Sequence, residues 1–342
     1  MSALLIEGFD HYISAAELTQ GGFTSAGTPT FATGRFGRGR LVELPSATED
    51  LTYAVAATTE FFFGASIMLG QVNGVADTLV SFVDTATEQL SIRVDPSGRL
   101  YVSRNGTTLG VATGDNAVLR GNAVNYIEFT AVINDTTGSW DLIVNGQSVS
   151  SGSTSDTKET ANATFDSLVL HGSANLLPSF DCLYLNDNGG AAPYNTNLGD
   201  HELIPRRPNG DGFQNDWVAT GAGTTNSDRV DDTPGNDGDT TYVAGSAVND
   251  IDSWSYENIS AVIAAGADNI LSVQYKTSAK GSAGTFRERI RSVAADELAA
   301  SNSFVATYTY ARYQSLTDPN TAAAWTSTAW DAAEAGIELL TT

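Results

Sequence analysis

The sequence predicts an all-β protein built from two antiparallel β-sandwich domains, with a short helix near the C-terminus. Short runs of β-branched and aromatic residues recur along the chain with a period of two, which is typical of half-buried strands. Turn-forming residues separate these runs, and the chain holds 33 glycines. Hydrophobic residues make up 41% of the 342 residues, enough for two cores. We place the domains at residues 1–207 and 208–342.

In the first domain the pattern predicts many short strands and no helix. The main runs are residues 3–9, 40–44, 60–69, 78–84, 89–94, 99–104, 125–133, 139–144, 165–171 and 179–185. Asp95-Pro96-Ser97-Gly98 has the residues that a tight turn requires, and Asn145-Gly146 suits a type I′ hairpin. Repeated hairpins favour a jelly roll over a parallel fold.

The second domain is predicted to hold strands at residues 240–244, 252–256, 270–278, 285–291 and 304–310. Residues 326–340 form the best helical window, because Ala329, Trp330, Ala333 and Ile337 can share one face. Thr326 or Ser327 would cap this helix.

The junction between the domains contains Pro205 and Pro208, and few glycines precede Gly210. We expect the closing strand of the first sandwich to continue through this junction and form a stiff joint.

The formal net charge is −23, and it is distributed over both halves. A nucleic-acid-binding protein needs clustered Lys and Arg, so that class is not expected, and an anionic membrane would repel this surface. The N-terminus lacks the basic region of a signal peptide, and no apolar run approaches a membrane span. Production in a cytoplasm is the expectation.

Catalytic and metal-binding patterns are not recognisable, so the sequence predicts no enzyme, no catalytic or cofactor-binding residues and no metal ligands. His11, His171 and His201 have no partner at metal-ligand spacing. Cys182 is predicted to be a buried core thiol. Glu128 and Asp181 each stand alone in a strand, which argues against the paired carboxylates of a glycosidase. Glycan hydrolysis remains a third alternative.

Two charged segments have alternative interpretations. The Gly34–Gly39 turn brings arginines into an acidic chain, and these side chains would suit an acidic partner, including a second copy of the protein. An aspartate-rich loop is by default a solvated surface, with a calcium site as the alternative. Its acidic residues are Asp228, Asp231, Asp232, Asp237 and Asp239.

Aromatic residues on the strands are expected to lie mainly in the cores, although exposed rings would stack on sugars. The residues concerned are Tyr101, Tyr126, Trp140, Trp217, Trp254 and Trp325.

Several segments of the chain resemble proteins of tailed bacteriophages and prophages. The first domain is similar to their laminin-G or concanavalin-like jelly roll, and the second to their C-terminal domain. The segments that carry the resemblance are residues 4–10, 34–39, 180–187, 198–200, 208–212, Trp217, 238–243, 318–325 and 334–336.

The resemblance implies a structural component of a tailed-phage virion, a head decoration or cement protein or a tail- or fibre-associated one, that acts by packing and oligomerisation. Its partners would be major capsid or tail proteins and further copies of itself. The second domain would dock or oligomerise. The alternative is a host-glycan-binding adhesin of the tail or head fibre.

Overall fold

The computed structural model describes residues 3–190, 192–232, 235–263 and 269–342. The chain separates into two compact units, Met1–Pro205 and Arg206–Thr342, here called the N-terminal and C-terminal units. This division falls two residues before the boundary placed from the sequence. No helix in the described part of the chain is long and apolar enough to cross a membrane.

The N-terminal unit is built from fifteen described strands, one short α-helix, α1 (Ala15–Gln20), and a 3-10 turn at Asp115–Ala117. The strands are β1 (Ala3–Glu7), β2 (Phe23–Ser25), β3 (Thr30–Thr33), β4 (Arg40–Glu43), β5 (Leu51–Thr58), β6 (Glu60–Leu69), β7 (Asp77–Asp84), β8 (Thr87–Val94), β9 (Leu100–Arg104), β10 (Thr107–Val111), β11 (Val124–Val132), β12 (Gly138–Val144), β13 (Gln147–Ser155), β14 (Phe165–Leu170) and β15 (Pro178–Asp187).

These strands form two antiparallel sheets. Sheet A has the order β13-β12-β11-β6-β15-β4-β3, and β1 also pairs with β15; sheet B has the order β10-β9-β8-β7-β14-β5-β2. Aromatic rings from both sheets meet between them, as Phe61 of sheet A lies 4.3 Å from Phe82 of sheet B. Phe129 of sheet A also stacks on Phe82, with ring centroids 5.6 Å apart. The predicted β-sandwich is therefore confirmed for this unit.

The C-terminal unit has one larger sheet and two ribbons. Its described strands are β16 (Pro208–Asn215), β17 (Val218–Thr220), β18 (Tyr242–Ala244), β19 (Ile251–Tyr256), β20 (Val273–Ala279), β21 (Thr285–Ser292), β22 (Ala295–Leu298), β23 (Asn302–Ser303), β24 (Thr309–Ser315) and β25 (Ala333–Thr341). Sheet C has the order β16-β19-β25-β21-β22, with β23 on β21, and the ribbons are β17-β18 and β20-β24. Trp254, Trp325, Trp330 and Ile337 are buried in its core.

The C-terminal helical prediction was right at its start and wrong in its extent. The helix α2 covers only Ser327–Asp331, with the Thr326 hydroxyl accepting from the Ala329 N–H at 3.1 Å. The chain then becomes β25, a central strand of sheet C. Ala335 and Ile337 are two residues apart and are both buried on the core side of β25. Over so short a segment, the same apolar residues fit both this strand alternation and the spacing of a helical face.

Three other expectations are corrected. Residues 198–207 form no strand, so the first sandwich does not continue through the junction. The strand expected at 304–310 lies instead at Thr309–Ser315. Helix α1 was not predicted, although Ser14 caps it by accepting from the Glu17 N–H at 3.3 Å.

Candidate functional site

The outer face of sheet B carries a row of side chains that crosses all seven strands, and six of these seven side chains are hydroxyls. The strand register places Ser81 opposite Ser91, and Ser91 opposite Ser103. The row continues to both edges of the sheet in the same register. In order across the sheet its members are Thr108, Ser103, Ser91, Ser81, Val169, Thr52 and Thr24. With strands about 4.8 Å apart, the row spans roughly 29 Å.

Alternation along each strand explains why the row faces away from the core. Phe82, Ile92 and Val102 are fully buried between the two sheets. Their neighbours Ser81, Ser91 and Ser103 must therefore point to the opposite face. These three serines are themselves screened from solvent by larger side chains on that outer face, since each is at most 2% exposed.

Asp50, His171 and Ser81 form a hydrogen-bonded chain at the centre of this face. The Asp50 Oδ1 lies 3.3 Å from Nδ1 of His171, and Nε2 of His171 lies 2.9 Å from the Ser81 hydroxyl. The Gly172 N–H also donates to Asp50 Oδ1 at 3.1 Å. Burial alone would raise the pKa of Asp50, but the hydrogen bonds from His171 and Gly172 outweigh it and hold that pKa below its ordinary value.

Beside the hydrogen bonds of Asp50, His171 and Ser81, the side chains of Glu88 and Arg93 form an ion pair that hydrogen bonds to the serines. Arg93 Nη2 donates to Glu88 Oε2 at 2.9 Å, and its Nε donates to the Ser91 hydroxyl at 2.9 Å. Ser91 donates to Glu88 Oε1 at 2.8 Å, and Ser81 donates to Glu88 Oε2 at 3.2 Å. Since the positive and negative charges are paired, the ion pair fixes Ser81 and Ser91 without adding an excess of positive charge to the face.

Tyr101 lies on β9 directly opposite Arg93, next to the hydroxyl row, and is partly exposed. Its neighbours Leu100 and Val102 point into the core, so the ring stands on the outer face. The face therefore combines hydroxyls, an ion pair, an imidazole and an aromatic ring, a set that can hydrogen bond to a polyhydroxylated ligand and stack on it.

The outer face of sheet A is less accessible than that of sheet B, because residues 197–203 of the same chain cover it. Tyr184 donates to Glu128 Oε1 at 2.6 Å, and the Gly199 N–H donates to the same oxygen at 2.8 Å. The Tyr126 hydroxyl lies 2.8 Å from Nδ1 of His201. Burial raises the pKa of both tyrosines, assisted by nearby ionisable groups, and lowers that of His201. Glu128 thus has a buried structural network around it.

The arginines of the Gly34–Gly39 turn find acidic partners within their own unit. Arg35 forms an ion pair with Asp200, and its Nη2 donates to Oδ2 at 2.7 Å. Arg38 pairs with Glu202 at 2.7 Å. Asp181, on β15, accepts from the Arg35 N–H at 2.8 Å. Arg35 and Arg38 thus have acidic partners within their own unit, and the acidic partner molecule expected from the sequence stays a prediction.

Cys182 is 2% exposed, as the sequence predicted for a core thiol. Burial, then the nearby Asp181 carboxylate, raises its pKa well above the ordinary value. The thiol is therefore held in its protonated, unreactive form.

The aspartates proposed as a calcium site bind different partners. Asp228 accepts from the Thr224 N–H at 2.7 Å, Asp237 accepts from the Thr241 hydroxyl at 2.7 Å, and Asp239 pairs with Lys280. Within the described ranges no group of three or more His, Cys, Asp or Glu side chains is placed to hold a metal. The calcium site stays a prediction without a geometric site to support it.

Most of the aromatic residues singled out in the sequence lie in the cores, as expected. Tyr126, Trp140, Trp217, Trp254 and Trp325 are buried, whereas Tyr101 remains partly exposed. Asp50 and Ser81 were missed, and His171 was assigned no role. Asp50, Ser81 and His171 lie far apart in the chain and match no catalytic motif, and only the strand register brings them together.

No protein family model matches this chain, and no curated protein matches it. Its fold is similar to parts of solved structures at low sequence identity. A sialidase aligns with a TM-score of 0.41 and 11% identity, over 55% of this chain and 19% of the sialidase. The alginate lyase Aly36B aligns with a TM-score of 0.37 and 12% identity, over 54% of this chain and 94% of the lyase.

The globular domain of T. cruzi calreticulin gives a TM-score of 0.39 and 10% identity, over 54% of this chain and 88% of that domain. The chain spans about a fifth of the sialidase and less than half of several other similar structures. These similarities concern the β-sandwich fold and say nothing about activity.

Proposed function

We propose that the N-terminal unit binds a glycan across the outer face of sheet B. The observation that carries the proposal is the row of six hydroxyls and Val169 beside Tyr101, Arg93 and His171, whose edge members Thr108 and Thr24 are exposed. Hydroxyl groups donate to and accept from sugar hydroxyls, carboxylates accept from them, and a tyrosine ring packs on the apolar side of a sugar. This function corresponds to the adhesin alternative drawn from the sequence.

A Tyr101→Ala substitution is expected to weaken glycan binding at least tenfold, which corresponds to about 1.4 kcal/mol of binding free energy. The measurement is a glycan array with the purified protein, followed by titration calorimetry on the best ligand. Phe36→Ala is the matched control, because Phe36 is an exposed ring (45%) on the turn between β3 and β4, outside sheet B. Binding that is equally strong in Tyr101→Ala would place the ligand elsewhere.

A second candidate function is that of a structural component of a tailed-phage virion, packed against capsid or tail proteins and further copies of itself. Besides the sequence resemblance, exposed apolar side chains in the C-terminal unit favour it. Phe213 is 70% exposed and Val293 is 68% exposed, and Arg291 lies 4.2 Å from the Phe213 ring. The two side chains lie close together, because Nε of Arg291 also donates to the Val293 carbonyl at 3.3 Å, and contiguous exposed apolar groups are typical of protein-protein contacts.

If the C-terminal unit oligomerises through this surface, Phe213→Ser should shift the purified protein from an oligomer toward the monomer. Light scattering after size-exclusion chromatography measures the mass directly. Val75→Ser is the control, because Val75 is also exposed (45%) but lies in the N-terminal unit. A wild-type protein that is monomeric at high concentration and absent from washed particles would refute the structural role.

A further inference from the structure

We propose that Ser81 is a nucleophile, activated by His171 and positioned through Asp50, that hydrolyses small acyl esters. Asp50, His171 and Ser81 follow one another in the order orienting acid, general base and nucleophile, at 3.3 Å and 2.9 Å. Such triads are recognised by geometry and role, and they occur on unrelated folds and in different chain orders. The proposal departs from the expectation that the chain is no enzyme.

The hydrogen bonds of Asp50 and the exposure of His171 fit this assignment. Asp50 is fixed by the Gly172 N–H, which limits the directions in which its carboxylate can bind the imidazole. With the ring proton on Nδ1 directed at Asp50, Nε2 is an acceptor, and Ser81 gives it the proton once its hydroxyl turns from Glu88 Oε2 to the imidazole. The side chains of His171 and Asp50 are 25% and 37% exposed, so the pair is open to solvent and to a ligand.

Arg93 supplies positive charge next to the nucleophile. Its Nη2 and the Ser81 hydroxyl both contact the same oxygen of Glu88, at 2.9 Å and 3.2 Å. The guanidinium group that pairs with Glu88 is the positive charge that this face offers to a carbonyl oxygen gaining negative charge during attack by Ser81.

The reaction balances with water as the only co-reactant. The Ser81 oxygen bonds to the ester carbonyl carbon while its proton passes to Nε2 of His171. The carbon–oxygen bond to the alcohol then breaks, and that alcohol leaves with the proton from His171. Water, deprotonated by His171, attacks the acyl-serine and releases a carboxylic acid and the free serine.

The position of Ser81 restricts the substrate. The residue is only 2% exposed, so a small acyl group such as acetyl would reach it more readily than a long chain. An O-acetyl group on a bound glycan has this chemistry, and this part of the inference rests on the proposed glycan binding. The reactivity of Ser81 itself does not depend on glycan binding.

The decisive experiment treats the intact wild-type protein with a fluorophosphonate probe and maps the adduct by peptide mass spectrometry. We expect a covalent adduct at Ser81, together with release of 4-nitrophenol from 4-nitrophenyl acetate. Because neither reagent is a glycan, failure of glycan binding leaves this outcome unchanged. Absence of an adduct at Ser81 in the folded protein would overturn the proposal.

Variants separate chemistry from folding. Ser81→Ala should abolish labelling, and His171→Gln should slow it 100-fold or more, as expected for loss of a general base. Ser167→Ala is the control, because Ser167 lies on the same face and bonds to Asp166 at 2.9 Å. Labelling at an unchanged rate in His171→Gln would refute the role of the imidazole.

Asp50 acts through His171 and is a positioning residue. Asp50→Asn should slow labelling of Ser81, and Asp50→Glu should restore much of the rate because it returns the carboxylate. A purely structural role for Asp50 predicts no such rescue, so equal rates in the two variants would remove Asp50 from the proposal.

Discussion

Replacing Phe82 with alanine is expected to destabilise the N-terminal unit by about 3–5 kcal/mol. Phe82 is fully buried, and its ring centroid lies within 6 Å of the centroids of Phe61, Phe63, Phe129 and Phe165. Removal of the ring loses its transfer free energy and leaves a cavity that both sheets line. Since Phe61, Phe63 and Phe129 come from sheet A, the loss falls on the contact that holds the sandwich together.

Urea denaturation followed by far-ultraviolet circular dichroism measures the change, and hydrogen exchange with mass spectrometry assigns it to the strands of the N-terminal unit. Val75→Ala serves as the control, because an exposed side chain away from special contacts changes stability by less than about 0.5 kcal/mol. A Phe82→Ala protein as stable as the wild type would mean that the rings do not form the core described above.

Local signals in the sequence were sufficient for ten of the fifteen described strands of the N-terminal unit and for two of its turns. Asn145 and Gly146 have φ angles of 50° and 79°, the left-handed values that an Asn-Gly hairpin requires. The Asp95-Pro96-Ser97-Gly98 segment turns as predicted, with Asp95 accepting from the N–H groups of Ser97 and Arg99. In these places the residue types alone define the backbone.

Local signals failed where two periodicities coincide. In 326–340 the same apolar residues satisfy a helical face and an alternating strand, and tertiary pairing decided between them. The partners of β25 are β19 and β21, which lie 77 or more and 41 or more residues upstream of it, and a local pattern cannot contain such information.

The candidate site could not be predicted for the same reason. Ser81, Ser91 and Ser103 lie in unremarkable alternating strands, and each serine alone indicates only an outward-facing position. The row appears only when the register of seven strands is known, since a slip of one residue would turn these side chains into the core. His171 becomes notable only because β14 ends beside the start of β5, where Asp50 precedes Leu51.

The C-terminal unit is expected to lose stability as the pH rises from 5 to 8. Asp252 and Glu288 are fully buried, and both lie opposite Ile337 on the strands that flank β25. Burial raises the pKa of each to about 7, and the nearby acids Asp211 and Asp216 assist in the case of Asp252. The folded state therefore binds protons that the unfolded state has released.

The sign follows from this difference in proton binding. An ordinary carboxyl titrates near pH 4 in the unfolded chain, so between about pH 4 and pH 7 the folded unit holds more protons. Its free energy of unfolding then falls by up to about 1.4 kcal/mol per pH unit for each group, and levels off above pH 7. Asp232, with a pKa raised to about 6 by burial and neighbouring acids, adds to the decline at lower pH.

Tryptophan fluorescence is a suitable measurement, because four of the five tryptophans belong to the C-terminal unit. Urea midpoints at pH 5, 6, 7 and 8 should decrease in the wild type and change much less in a protein carrying Asp252→Asn and Glu288→Gln. Each amide keeps an oxygen that can accept from Asn226 or Asn302, which bond to these carboxyls at 2.9 Å and 2.8 Å. A wild-type midpoint that is constant or rises over this range would show that the two carboxyls are ionised in the folded unit.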